Sequence, residues 1–362
     1  MGSVENWAEV GGRVREARLA HDLSQTELAR RLDLERTAVV RIESGRRQIS
    51  AIELFKLSDV LGVPAAHFVT QSPPAVVSQR QALTEDADSA SRTRFQIDAA
   101  LESHARDTGR LIDHELLAKA APASALRAKN RKEARRLAAD IRKQARLGDD
   151  PIGGMAELSE RFGLYVLVLD TDTEGASLLL DGYGVAVLGG RRAPGRRRFT
   201  AAHELGHHLL HDAYHTDIGV AASLQEREAV INAFAAELLL PSPVLKRIAR
   251  SENPREELIR LAGMYRVSWS VVVGEAERMK LFSPDQLTAL RTDTPVKGEF
   301  LAVLGEEPKP DLEIGDTGPA WRRAVLAAWE RSLITASRAV ELLKGQITVA
   351  ELPPRPSHRD AE

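Results

Sequence analysis

The sequence predicts a multidomain chain: an all-α head, then an α+β domain, then a helical C-terminal region. Short amphipathic helical periods fill residues 8–69, β-rich apolar runs cluster between residues 164 and 188, and helical periodicity returns on both sides of that cluster. The chain has 362 residues, beyond the roughly 250 at which a single core stops growing.

In the head, apolar spacing predicts helices over 10–20, 24–32, 36–43 and 50–61, with breaks at His21-Asp22, Asp33-Leu34 and Gly45. Ser24 is a good N-cap, and Glu27 three residues on completes a capping box. The short turn after Leu32, followed by the helix over 36–43, has the spacing of a helix-turn-helix, whose second helix enters the DNA major groove. Asp33 stands where that turn usually carries Gly, and Asp tolerates the left-handed conformation better than most residues.

Gln71-Ser72-Pro73-Pro74 then breaks the pattern, and residues 75–94 are polar without periodicity, as in a linker. The expected organisation is a head over 1–70, a linker over 71–94, a domain over 95–250 and a helical region over 251–362 with a frayed tail.

In the third of these segments, a basic helical stretch over 126–147 stops at Gly148-Asp149-Asp150-Pro151. Runs over 164–169, 176–181 and 185–188 predict a small, mostly antiparallel sheet. A helix over 199–210, a loop over 212–223 and a helix over 225–240, stopped by Pro241 and Pro243, complete an α+β domain. Residues 258–282 echo the helix pair of the head, but no Arg or Lys cluster opens the second helix, so they are expected to pack beside the preceding domain. Trp269, Trp321 and Trp329 are expected in the core or at contacts between subdomains.

Composition narrows the chemistry. The chain has no cysteine, which excludes disulfides, thiolate metal sites, iron-sulfur clusters and cysteine nucleophiles together. Any metal must sit on His and carboxylates. A formal net charge of -2 gives no whole-chain reason to bind nucleic acid, so that case rests on the local motif. No apolar run approaches the roughly 18 residues of a membrane span, and the start lacks a signal-peptide pattern. A cytoplasmic protein with no membrane partner is expected.

The densest chemical signal is His203-Glu204-Leu205-Gly206-His207. Positions i and i+4 share a helix face about 6 Å apart, so the two imidazoles can converge on one ion with Glu204 beside it as a general base. Such a site needs a third protein ligand and leaves a position for water. His211 lies about 12 Å of helix rise beyond His203, too far to close a tetrahedron with bonds of about 2 Å. Glu226, Glu228 and Glu237 lie on the next helix. Glu228 is the first choice because Asn232, one turn later, is placed to hydrogen-bond a ligating imidazole; Glu226 is the runner-up. Tyr183, Arg198, His211 and His215 are candidate partners for a developing oxyanion, with packing roles the commoner outcome for such residues.

The stretch from Arg198-Phe199-Thr200-Ala201-Ala202 through the motif to His211, then Glu228 and Asn232-Ala233-Phe234-Ala235-Ala236-Glu237-Leu238-Leu239-Leu240-Pro241, resembles the ImmA/IrrE family of metallopeptidases. Val230-Ile231 stand where that family often has Glu-Ala. The resemblance implies a thermolysin-like minimal zincin fold and a zinc-dependent metalloendopeptidase, with His203, His207 and Glu228 as ligands and Glu204 as base. Manganese is an alternative ion, since ligand type alone does not fix the metal.

Residues 10–68, with Arg41-Ile42-Glu43-Ser44-Gly45-Arg46-Arg47, resemble the XRE (Cro/C1-type) DNA-binding domains. Under that resemblance Arg36, Thr37, Val40 and Arg41 face bases, while Gln25, Arg46 and Arg47 hold phosphates of double-stranded DNA. Heads of this kind often bind two-fold sites as homodimers.

The combined expectation is a regulatory peptidase that hydrolyses a peptide bond in a repressor or antitoxin-like regulator. The alternative is a transcription factor whose peptidase-like domain senses a ligand or metal without proteolysis. Self-cleavage in the linker is a third reading.

Overall fold

The computed structural model describes residues 6–70, 78–80, 87–120, 126–210, 221–248 and 251–355. The expected loop over 212–223 and the tail therefore lie largely outside the described residues.

The head comprises α1 (Trp7–Ala20), α2 (Gln25–Leu32), α3 (Arg36–Glu43), α4 (Ala51–Leu61) and α5 (Ala65–Val69). Ser24 Oγ accepts from the Glu27 amide at 3.1 Å while the Glu27 carboxylate accepts from the Ser24 amide at 2.7 Å, closing the expected capping box. Ser50 and Glu53 repeat the device at α4. Asp33 takes the left-handed conformation at φ 57°, turning α2 into α3. Val14, Leu28, Leu32, Val39 and Phe68 meet in a small core. Buried Arg18 ties α1 to α3 by donating to both Glu43 oxygens at 2.5 and 3.1 Å.

The stretch expected as a linker carries regular structure. A strand, β1 (Ser78–Arg80), joins the sheet of the next domain, and α6 (Ala87–Asp113) begins before Phe95. Neither was legible: a strand held at a sheet edge pairs through backbone groups, and residues 87–94 carry no apolar stripe. Further along, α6 serves two cores. Phe95 and Ala99 pack with the head, whereas Ile97, Leu101 and Ala105 pack toward the sheet.

After α7 (Arg131–Gln144) and α8 (Met155–Arg161) come β2 (Leu164–Leu169), β3 (Gly175–Leu180) and β4 (Tyr183–Gly189), in the sheet order β1-β3-β4-β2. The pairings β1/β3 and β3/β4 are antiparallel, and β2/β4 is parallel. Both faces are covered. Leu164, Val166, Val168, Ala186 and Leu188 face a core shared with α8, α9 (Pro194–Leu210) and α10 (Ala221–Leu239). Tyr165, Leu167, Leu178, Val185 and Val187 face α6 and α16 (Pro319–Glu330). Two-sided burial explains why these strands read as apolar runs.

The remaining helices are α11 (Ser242–Lys246), α12 (Pro254–Tyr265), α13 (Trp269–Arg278), α14 (Pro284–Thr292), α15 (Lys297–Leu304) and α17 (Ala336–Leu342). Leu258, Val272, Ala276 and Leu287 belong to the same buried cluster as Ala138, Leu205 and Leu238. A boundary at residue 250 thus marks no change of core, because the prolines there restart a helix without moving the chain to a new one. As expected, α12 and α13 pack beside this core, with Glu275 of α13 gripped by Arg135 of α7 at 2.7 and 2.8 Å. Trp269 and Trp321 are buried, and Trp329 is half-buried with Arg355 stacked 3.6 Å from its ring centre. Among the described residues no helix is long and apolar enough to cross a membrane.

Candidate metal centre and helix-turn-helix face

Helix α9 lies under the sheet, closest to β3. Gly175 makes the approach possible, since a Cβ there would sit 2.8 Å from Thr200 Cγ2. One helical turn after Thr200 comes Glu204, and two residues after Gly175, on the same strand face, comes Ser177. The two meet: Ser177 Oγ donates to Glu204 Oε2 at 2.6 Å, with both side chains buried.

His203 and His207 are fully buried one turn apart, their Nε2 atoms 3.0 Å from each other. Helix α10 crosses beside them and supplies Glu228, whose oxygens lie 3.4 Å from His203 Nε2 and 3.5 Å from His207 Nε2. Gly206 lets the helices touch, because a Cβ there would reach Phe234 Cδ1 at 3.0 Å and Ile231 Cγ2 at 3.1 Å.

These donors suit a tetrahedral cation. With bonds of 2.0 to 2.1 Å, neighbouring ligand atoms of a tetrahedron are about 3.3 to 3.4 Å apart, close to the three separations here. Asn232 Oδ1 lies 3.1 Å from His203 Nδ1. An amide oxygen only accepts, so Nδ1 carries the proton and the Nε2 lone pair faces His207. At 3.0 Å that lone pair meets either an Nε2–H of His207 or, when both rings offer lone pairs, a cation shared between them.

Of the three carboxylates that the sequence offers on α10, Glu228 is the one that lies beside both histidines. Glu226 is exposed and outside the cluster. Glu237 is used structurally: it accepts from the Ser242 amide at 2.8 Å and Ser242 Oγ at 2.6 Å, and takes Arg135 at 3.2 Å. Two oxyanion candidates are excluded. Arg198 is buried against the Ile152 and Gly153 carbonyls and Asp311, where it fixes the start of α9, and burial lowers its pKa to about 10. Tyr183 belongs to the opposite sheet face, beside Gly109 of α6. His211 and His215 lie outside the described residues. Ser177 was missed, although a hydroxyl on an apolar strand whose neighbours Ala176 and Leu178 take the other face was a readable signal.

In the head, Arg36, Thr37, Val40 and Arg41 form an exposed face of α3, and Arg46 is exposed just beyond it. Gln25 is half-buried and donates to Glu43 at 2.9 Å, while Arg47 donates to Glu53 at 2.7 Å. Both side chains are thus engaged within the head, unlike the exposed Arg46.

Known proteins match both regions. Residues 159–275 match the IrrE N-terminal-like domain family of peptidases, and residues 14–68 match a helix-turn-helix family. The chain joins a helix-turn-helix domain to an IrrE N-terminal-like domain. Both resemblances drawn from the sequence are borne out, and the second region is metallopeptidase-like. An uncharacterized transcriptional regulator in the ATPase CF(0) region of Rhodospirillum rubrum is 41% identical over 61 residues, 17% of this chain and 56% of that protein. The match therefore spans little more than half the relative's length. The solved structure of Bacillus thuringiensis PlcR in complex with the peptide PapR7 and DNA aligns over 93% of this chain and 94% of that one at 12% identity, with a TM-score of 0.18, too low for a shared overall fold.

Proposed function

We propose that this chain is a DNA-binding regulatory metallopeptidase that hydrolyses a peptide bond in a repressor or antitoxin-like regulator. The observation that carries the reading is the convergence of His203, His207 and Glu228 beside Glu204. In this reading the α+β domain is a minimal zincin of the thermolysin type, and the two histidines and Glu228 hold zinc or, with the same ligand types, manganese. When bound, such an ion supplies a Lewis acid that makes water nucleophilic near neutral pH.

The chain's own residues do the rest. Asn232 fixes the His203 tautomer, keeping Nε2 unprotonated. Glu204 takes a proton from the attacking water and returns it to the departing amine. Ser177 pins one oxygen of that carboxylate and so sets its orientation for the proton transfer. The head places this chemistry at DNA through α3, with Arg36, Thr37, Val40 and Arg41 toward bases and Gln25, Arg46 and Arg47 toward phosphates. Two heads on a two-fold site would make the DNA-bound form a homodimer.

Metal analysis tests the site: the purified chain carries near-stoichiometric zinc, and His203→Ala, His207→Ala and Glu228→Ala each lose it. Retention of metal by all three variants would sink the assignment. Reporter assays separate a peptidase from a sensor, since full regulation by Glu204→Gln would mean that proteolysis is dispensable.

A further inference from the structure

The strand β1 comes from the segment between the two domains, yet it is the outermost strand of the sheet. It pairs antiparallel with β3 in the register Ser78↔Ser177, Gln79↔Ala176, Arg80↔Gly175. Ser177 thus has two relationships: its backbone partners Ser78, and its hydroxyl holds Glu204. A strand lying on this edge runs alongside the candidate base.

Without β1, β3 would be the edge of the sheet and would present unpaired N–H and C=O groups directly above α9. Such an edge accepts any extended peptide through main-chain hydrogen bonds, largely independent of side chains. We propose that β1 is an intrachain stand-in for a peptide partner. Residues 78–80 fill the edge of β3 beside Glu204, and an extended peptide must displace them to reach the site.

The pairing is suited to exchange. It spans three residues, so few main-chain bonds hold it, and its tethers on both sides supply the rest of its hold. The preceding helix α5 ends at Val69 and the following helix α6 starts at Ala87. A tether of this kind gives a local concentration on the order of millimolar, which a peptide partner must outcompete. Because α6 packs into both the head core and the sheet-side core, the head and β1 hang from one helix. A shift of the head on α6 would change the reach of β1. The link to catalysis rests on the peptidase reading; the strand exchange does not.

The test uses the full chain in the Glu204→Gln background, which prevents turnover, and a fluorescein-labelled peptide of residues 75–83. Successive N–H groups of a strand point in opposite directions, so either Gln79→Pro or the pair Ser78→Pro with Arg80→Pro removes a donor facing β3. The variant that does so is expected to speed amide hydrogen exchange across residues 175–177 and to bind the peptide at least roughly tenfold more tightly than the parent. It should also cleave extended peptides faster once Glu204 is restored. Unchanged exchange in both variants, or faster exchange with no gain in peptide affinity, overturns the proposal. Tighter binding without cleavage by any form upholds the strand exchange and removes the peptidase reading instead.

Discussion

Ser177 Oγ donates to Glu204 Oε2 at 2.6 Å, joining the edge of the sheet to the helix that carries the histidine pair. The bond orients a buried carboxylate, and hydrogen bonds to charged groups are worth about 1.5 to 3 kcal/mol. Ser177→Ala is expected to lower kcat by roughly one to two orders of magnitude with little change in KM or metal content. Steady-state kinetics on a cleaved regulator, with metal analysis of the same sample, checks this. A rise in KM at constant kcat would assign Ser177 to substrate binding instead.

Asn232 acts through His203 and should govern metal affinity. Asn232→Ala removes the acceptor of the Nδ1 proton, and loss of such partners typically costs about 10- to 100-fold in affinity. Asn232→Asp keeps an acceptor and should restore most of it. Competition with a chromophoric chelator measures both variants without any substrate. Equal affinities in all three chains would mean that the contact is packing alone.

DNA binding by the head should depend on salt in proportion to the phosphates that it neutralises. Arg46 is exposed, and Arg46→Ala is expected to weaken binding to all sequences alike and reduce the log–log salt slope by about 0.9. Arg36→Ala and Arg41→Ala should instead relax discrimination at single base positions, by about 1 to 3 kcal/mol each. Fluorescence titrations on operator and scrambled duplexes at several salt concentrations distinguish the two behaviours.

Acid sensitivity should trace in part to His104. Its ring is buried, with Nε2–H donating to the Tyr165 carbonyl at 3.2 Å, and burial pushes its pKa from 6.5 down to about 3. Above the unfolded value it is neutral in both states and adds no pH dependence. As pH falls below that value, the unfolded chain takes a proton that the folded chain refuses. Stability then drops by up to about 1.4 kcal/mol per pH unit until the folded value is reached. Urea midpoints at pH 7 and pH 5 should therefore differ less in His104→Gln, which keeps a donor without the titration. Equal differences in both chains would mean that His104 does not set the acid sensitivity.

Local physics explains what the sequence disclosed. The capping box at Ser24 and Glu27, the left-handed Asp33 and the i, i+4 histidines each depend on residues within one turn of one another. Glu228 could be singled out because Asn232 stands one helical turn from it, so a candidate ligand and the hydrogen-bond partner of His203 fall on one face of α10. The Ser177 hydroxyl stood out on an apolar strand, but its pairing with Glu204 depends on which strand lies over α9, a tertiary fact that no local pattern encodes. The strand β1 was hidden for a different reason, since it is held by backbone pairing at an edge and its polar sequence reads as linker. Glu237 and Arg198 show the converse, since residue type alone offered them for chemistry while packing assigns them to α11 and to the start of α9.

Regulatory proteolysis is measured by incubating the regulators encoded beside this gene with the zinc-loaded chain, with and without operator DNA, in parallel with Glu204→Gln. A regulatory metallopeptidase makes one defined cleavage, abolished by a chelator and slowed roughly a hundredfold to ten-thousandfold by the substitution. Cleavage at the same rate by Glu204→Gln, or none by the intact zinc-loaded chain under either condition, would contradict that function.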